Sequence, residues 1–148
     1  MAEPGAEGVD DLQGAPGVVE EADGTVRMPL TADDVSVTRA RRYVQGRWPD
    51  LAEEVLDDVS IIVSELVSNA VVHGRPDIEM RLRVLPFAVD VAVLDHNPEL
   101  PAPPSARPSP TQASGRGLLL VDRLARRWGV EPFPDGTGKT VWASIESP

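Results

Sequence analysis

Leu51-Ala52-Glu53-Glu54-Val55-Leu56-Asp57-Asp58-Val59-Ser60-Ile61-Ile62-Val63-Ser64-Glu65-Leu66-Val67-Ser68-Asn69-Ala70-Val71-Val72-His73-Gly74 is the longest patterned stretch of the chain, and the architecture is read outward from it. Leu51, Val55, Val59, Ile62, Leu66 and Ala70 recur every three or four residues. One apolar face is therefore carried for about six helical turns. Pro49-Asp50 punctuates the chain before this helix, and Gly74 with Pro76 beyond it supplies the stop. Glu65, Asn69 and His73 are spaced by four and share one stripe. At about 100° per residue, Glu65 and Asn69 fall at the edge of the apolar arc, where a pocket between helix and sheet would open. Polar residues on a helix are ordinarily surface, so this stripe alone marks a candidate and no more.

Outward from this helix, the chain alternates between short strands and helices. Thr25–Leu30 reads as a strand, with Pro29 marking an edge or an end. Thr31 or Asp33 offers a helix cap, and Val35, Val37, Ala40, Tyr43 and Val44 space a first helix that runs to about Gly46. After the long helix, Ile78–Leu85 alternates apolar and charged side chains, and Phe87–Leu94 is a more apolar strand. The short Leu85-Pro86-Phe87 link joins them as a hairpin. A third helix is expected from near Leu118, with Leu118, Val121, Leu124, Ala125 and Trp128 as its apolar face and Gly129 closing it. A Val130–Phe133 strand, a turn over 134–138 and a last strand, Thr140–Ile145, complete the chain.

The 148 residues fit one domain, long enough to bury a core unaided. With no cysteine, disulfides, thiolate metal sites and cysteine nucleophiles are excluded. Residues 1–23 hold seven acids and no base. Of the 24 acids, 17 remain in the rest of the chain against all 14 bases, so the −10 net charge is mostly a property of that leader. The leader is expected to be a disordered acidic tail, because it has too few large apolar side chains to offset its ordering entropy. No basic patch favours a nucleic-acid backbone or an anionic membrane surface. With no apolar run of membrane-spanning length and no secretory leader, the expected location is the cytoplasm. Thirteen of the 14 bases are Arg, which leaves Lys139 as the chain's one lysine.

Two further features bear chemistry. Asp95 ends the apolar strand where the chain leaves the sheet, placed either to accept hydrogen bonds from a ligand or to cap the next turn. Residues 96–114 then form a long loop with six of the 15 prolines, and it ends in Ser114-Gly115-Arg116-Gly117 before the third helix. Glycines there let a backbone approach a ligand, and a helix N-terminus offers free N–H groups to an anion. Leu120 stands where a dinucleotide-binding G-x-G-x-x-G would need its third glycine. Gly138-Lys139-Thr140 is not a P-loop, since a strand follows it.

In order, these pieces resemble the GHKL nucleotide-binding superfamily, which includes gyrase, a heat-shock chaperone class and the histidine kinases. Glu65–Gly74 resembles its N box, Asp95 the adenine-binding Asp of its first glycine box, Gly115-Arg116-Gly117-Leu118 its second, and Gly138-Lys139-Thr140 its last. The resemblance covers residues 25–146. The chain's length is most similar to the stand-alone anti-sigma factor serine/threonine kinases and small actinobacterial ATP-binding regulators. The resemblance implies a Bergerat ATP-binding fold: an α/β (α+β) two-layer sandwich with a mixed, largely antiparallel sheet covered on one face by three main helices. It implies a domain over 24–148 with 96–114 as ATP lid, and ATP and Mg²⁺ as cofactors. Glu65 would be the general base and Asn69 the Mg²⁺ ligand. Asp95 would bind the adenine amine, and Gly115, Arg116 and Gly117 would wrap the phosphates with Leu118 beside them. Thr140 would help through its hydroxyl, and His73 and Asn97 belong to the same boxes. The implied partners are a sigma factor or an anti-anti-sigma protein of the STAS type, with a second copy of the chain as a further expectation because relatives dimerise. One box departs from the family. Where Asp-x-Gly-x-Gly is usual, this chain has Asp95-His96-Asn97-Pro98-Glu99. Asn97 tolerates a left-handed backbone, which would keep the turn, and Pro98 stiffens it. A regulatory module that docks a partner and holds nucleotide weakly or not at all is therefore the alternative.

Overall fold

The computed structural model describes residues 17–101 and 113–148, so most of the expected tail and of the expected lid lies outside the described residues. Nine elements are present among those described. They are β1 (Val19–Glu20), β2 (Val26–Leu30), α1 (Asp34–Arg47), α2 (Glu53–His73), β3 (Ile78–Leu85), β4 (Ala88–Asp95), α3 (Ala113–Leu124), β5 (Arg127–Pro132) and β6 (Lys139–Glu146). The strands form one sheet in the order β1-β2-β3-β4-β6-β5, antiparallel at every junction. The helices lie on one face, which makes the two-layer α+β sandwich.

Alternation decides which strand residues enter the core. Ile78, Met80 and Leu82 on β3, Val89, Val91 and Val93 on β4, and Val141, Ala143 and Ile145 on β6 are buried under the helices. The intervening Glu79, Arg81 and Arg83 are the opposite face of the same pleat, and Arg27 and Arg81 both bond Glu79 there. From α2, Val55, Val59, Ile62, Leu66 and Ala70 are buried as their spacing requires. Asp33 caps α1 by accepting from the Ser36 amide at 3.2 Å.

The structure corrects three details. Val19–Glu20, within the stretch expected to be tail, pairs with β2 as an edge strand. Val35, placed on the apolar face of the first helix, is exposed, because the buried stripe of α1 begins at Ser36 and continues through Ala40, Tyr43 and Val44. The third helix starts at Ala113 and ends at Leu124, so Trp128 and Gly129 belong to β5 instead. Gly129 has a strand role: a Cβ there would meet the Trp142 indole at 3.0 Å, so the ring lies close across β5 at this position.

Candidate nucleotide site

Asp95 continues the buried row Val89, Val91, Val93 on β4, so the pleat turns its carboxylate under the helices. It is 1% exposed. Its register partner on β6 is Lys139, itself 2% exposed, which continues the buried row Val141, Ala143, Ile145. The Lys139 Nζ donates to Asp95 Oδ1 at 3.1 Å and to the Asn97 carbonyl at 2.8 Å. The Asn97 amide donates to the same Oδ1 at 2.7 Å.

Asn97 is not left-handed, since among the described residues no non-glycine has positive φ. Its side chain holds the turn instead. Nδ2 donates to the His73 carbonyl at 2.6 Å, and Oδ1 accepts from the Glu99 amide at 3.0 Å. These bonds tie the exit of β4 to the end of α2. Gly74 brings the two together: its own amide caps α2 on the Ala70 carbonyl, and a Cβ there would meet Asp95 Cβ and Cγ at 2.9 Å. Gly138 does the same from the other side, where a Cβ would collide with the Asp95 carbonyl oxygen and meet the Phe133 ring at 2.6 Å.

On α2, Asn69 is 7% exposed, and among the described residues its buried Oδ1 has no hydrogen-bond partner. A buried acceptor left unbonded costs about 1–3 kcal/mol, so Asn69 Oδ1 is a candidate to meet a ligand atom. A neutral amide oxygen is a donor that Mg²⁺ accepts. Among the described residues no cluster of three or more His, Cys, Asp or Glu could hold a metal by itself. One turn earlier, Glu65 is half-buried, and desolvation raises its pKa above the usual 4.5. Glu65 also lines an open groove of about 610 Å³ between α1 and α2, with Arg41, Gln45, Asp57, Ser60 and Ser64.

The remaining expected residues divide. Gly115, Arg116 and Gly117 lie in the first turns of α3 instead of ahead of it, in or next to the turn whose backbone N–H groups lack intrahelical partners. Leu118 is buried in the core. His73 ends α2 with an exposed side chain, and its carbonyl serves Asn97. Thr140 pairs with Leu94 on the helix-free face, opposite the face that holds Asp95. Lys139, singled out in the sequence as the one lysine but given no role there, joins the site. Its signal was its parity: it sits two residues before Val141 in a buried row, as the chain's only lysine. A separate cavity of about 270 Å³, lined by Arg81, Arg83, Asp90, Ala92, Arg127 and Trp142, opens on the helix-free face and is no part of this site.

A profile of the histidine kinase-like ATPase domain matches residues 30–145. The chain belongs to that family. It is therefore an ATP-binding regulatory domain of the GHKL type. The chain is also similar to the uncharacterized protein SCO4941 of Streptomyces coelicolor, with 38% identity over 77 residues, 49% of this chain and 72% of that protein. Among the described residues no helix is long and apolar enough to cross a membrane.

Proposed function

We propose that this ATPase-family domain is an anti-sigma-type serine/threonine kinase that works by partner switching, phosphorylating an anti-anti-sigma protein of the STAS type. The observation that carries this reading is the pair on α2: a half-buried Glu65 with a raised pKa, one turn from the unbonded Oδ1 of Asn69. Phosphoryl transfer needs positioning, charge neutralisation and a base. A bound Mg²⁺ would supply the neutralisation at the phosphates. Asn69 contributes an oxygen toward it, and Asp95 accepts from the adenine amine. Glu65 takes the proton of the acceptor hydroxyl as its oxygen bonds to the γ-phosphorus. The bond from that phosphorus to the β–γ bridging oxygen breaks, and ADP leaves. A raised carboxylate pKa makes Glu65 a better base near neutral pH than an ordinary glutamate.

The experiment is transfer of labelled γ-phosphate to STAS-domain proteins encoded in the same genome, with wild type and Glu65→Ala. Transfer by the wild type, lost in the variant with ATP binding retained, supports the assignment. Equal transfer by both sinks Glu65 as base. Absence of ATP binding at millimolar concentration favours the second reading, a docking module, for which the replacement of both box glycines by Asn97 and Glu99 is the specific observation.

A further inference from the structure

Lysine is almost never fully buried without a partner, yet this chain buries its only one beside Asp95. A cross-strand ion pair does not explain itself by stability. Desolvating two charges can exceed their attraction, and an apolar pair of similar volume is often as stable or more so. The choice of cation is also informative in a chain that otherwise uses arginine throughout. An arginine fork at this position would engage both carboxylate oxygens at once. The lysine ammonium is a point donor. With the Asn97 amide it engages Oδ1, and among the described residues no hydrogen bond reaches Oδ2. Its second bond, to the Asn97 carbonyl, fixes the turn that stands where the family has glycines.

We infer that Lys139 is a positioning residue for base recognition. It holds Asp95 by one oxygen and the following turn by its backbone, and so keeps the other carboxylate oxygen as an acceptor for a purine exocyclic amine. This rests on the reading that Asp95 receives that amine. Four proteins test it (wild type, Asp95→Asn, Lys139→Met and Lys139→Arg), each titrated with ATP and with inosine triphosphate, which has a carbonyl in place of the amine. Wild type binds ATP more tightly. Lys139→Met and Lys139→Arg weaken ATP by about tenfold, equivalent to 1.4 kcal/mol, and change the inosine nucleotide by less than about twofold, so the preference disappears. A purely structural lysine would weaken both nucleotides together, and that result, or a retained preference, overturns the inference. If wild type shows no preference, or Asp95→Asn keeps one, the reading of Asp95 fails first. The wild-type chain gives a readout that no variant's folding can compromise. With lysine alone isotope-labelled, its single side-chain ammonium signal shifts on adding ATP and much less with inosine triphosphate. Equal shifts, or none, overturn the inference.

Discussion

Replacing Gly74 by alanine tests the packing that builds the site. Gly74 has φ −81° and ψ −179°, a conformation that alanine adopts without strain. On backbone grounds alone Gly→Ala would stabilise by about 0.4–1 kcal/mol through the unfolded chain. The contacts point the other way. A Cβ would collide with the Ala70 carbonyl and stand 2.9 Å from Asp95 Cβ and Cγ. None of these is the free end of a flexible side chain. Asp95 is 1% exposed and bonded by Lys139 and Asn97, so it cannot swing aside. Overpacking of this kind costs about 1–3 kcal/mol. The expected net is a loss of about 1–2 kcal/mol, or roughly 3–6 °C in Tm for a chain of this size. ATP affinity should fall by about tenfold or more, because misplacement of a binding group by a fraction of an ångström is felt there. Urea unfolding and calorimetric titration of the same preparations measure both. Gly46→Ala is the control: nothing lies within 4 Å of the added Cβ, and alanine in place of a helical glycine should stabilise by about 0.5 kcal/mol. If Gly74→Ala is as stable as wild type and binds ATP equally well while Gly46→Ala behaves as expected, the close approach of α2 to Asp95 is wrong.

Two other outcomes follow from buried polar groups. Glu65→Gln should raise stability at neutral pH. Desolvation raises the folded pKa of Glu65 above its unfolded value, so the folded state loses stability as pH rises from the unfolded toward the folded pKa, and the amide avoids that loss. Melting curves across pH should show the gain above about pH 5 and none below about pH 4, where the carboxyl is protonated in both states; a gain that persists at low pH refutes the linkage. Asn69→Leu removes a buried acceptor that has no partner among the described residues and should raise stability by about 1 kcal/mol. It should also abolish the Mg²⁺ dependence of nucleotide binding, and a variant that keeps that dependence removes Asn69 from the cation site.

Much of the molecule was legible because its signals are local. The spacing of Val55, Val59, Ile62 and Leu66 fixes the buried face of α2 without reference to anything else. The strict alternation of Ile78–Leu85 does the same for β3, and a glycine followed by a proline marks the end of α2. The boundaries that failed were those where local signals compete. Trp128 extends the helical spacing of Leu118, Val121 and Leu124 as well as it fits a strand, and what settles it is pairing with Ala143 on β6, a partner 15 residues away. Val19–Glu20 has no signal of its own and is a strand only because β2 offers an edge.

The family's boxes, the period of each element and the parity of each strand residue can all be read from the amino-acid order, since each depends on neighbours a few positions away. What Asp95 and Lys139 do to one another cannot. They are 44 residues apart and meet because β4 and β6 pair in one register. A slip of either strand by one residue would turn its side chain to the other face and separate the pair. The turn at Asn97 is set in the same way, by the His73 carbonyl and the Lys139 ammonium, in place of the left-handed backbone that its residue type allows. Hydrogen bonds between distant segments form only once the core has set the register, and composition and spacing carry no record of them.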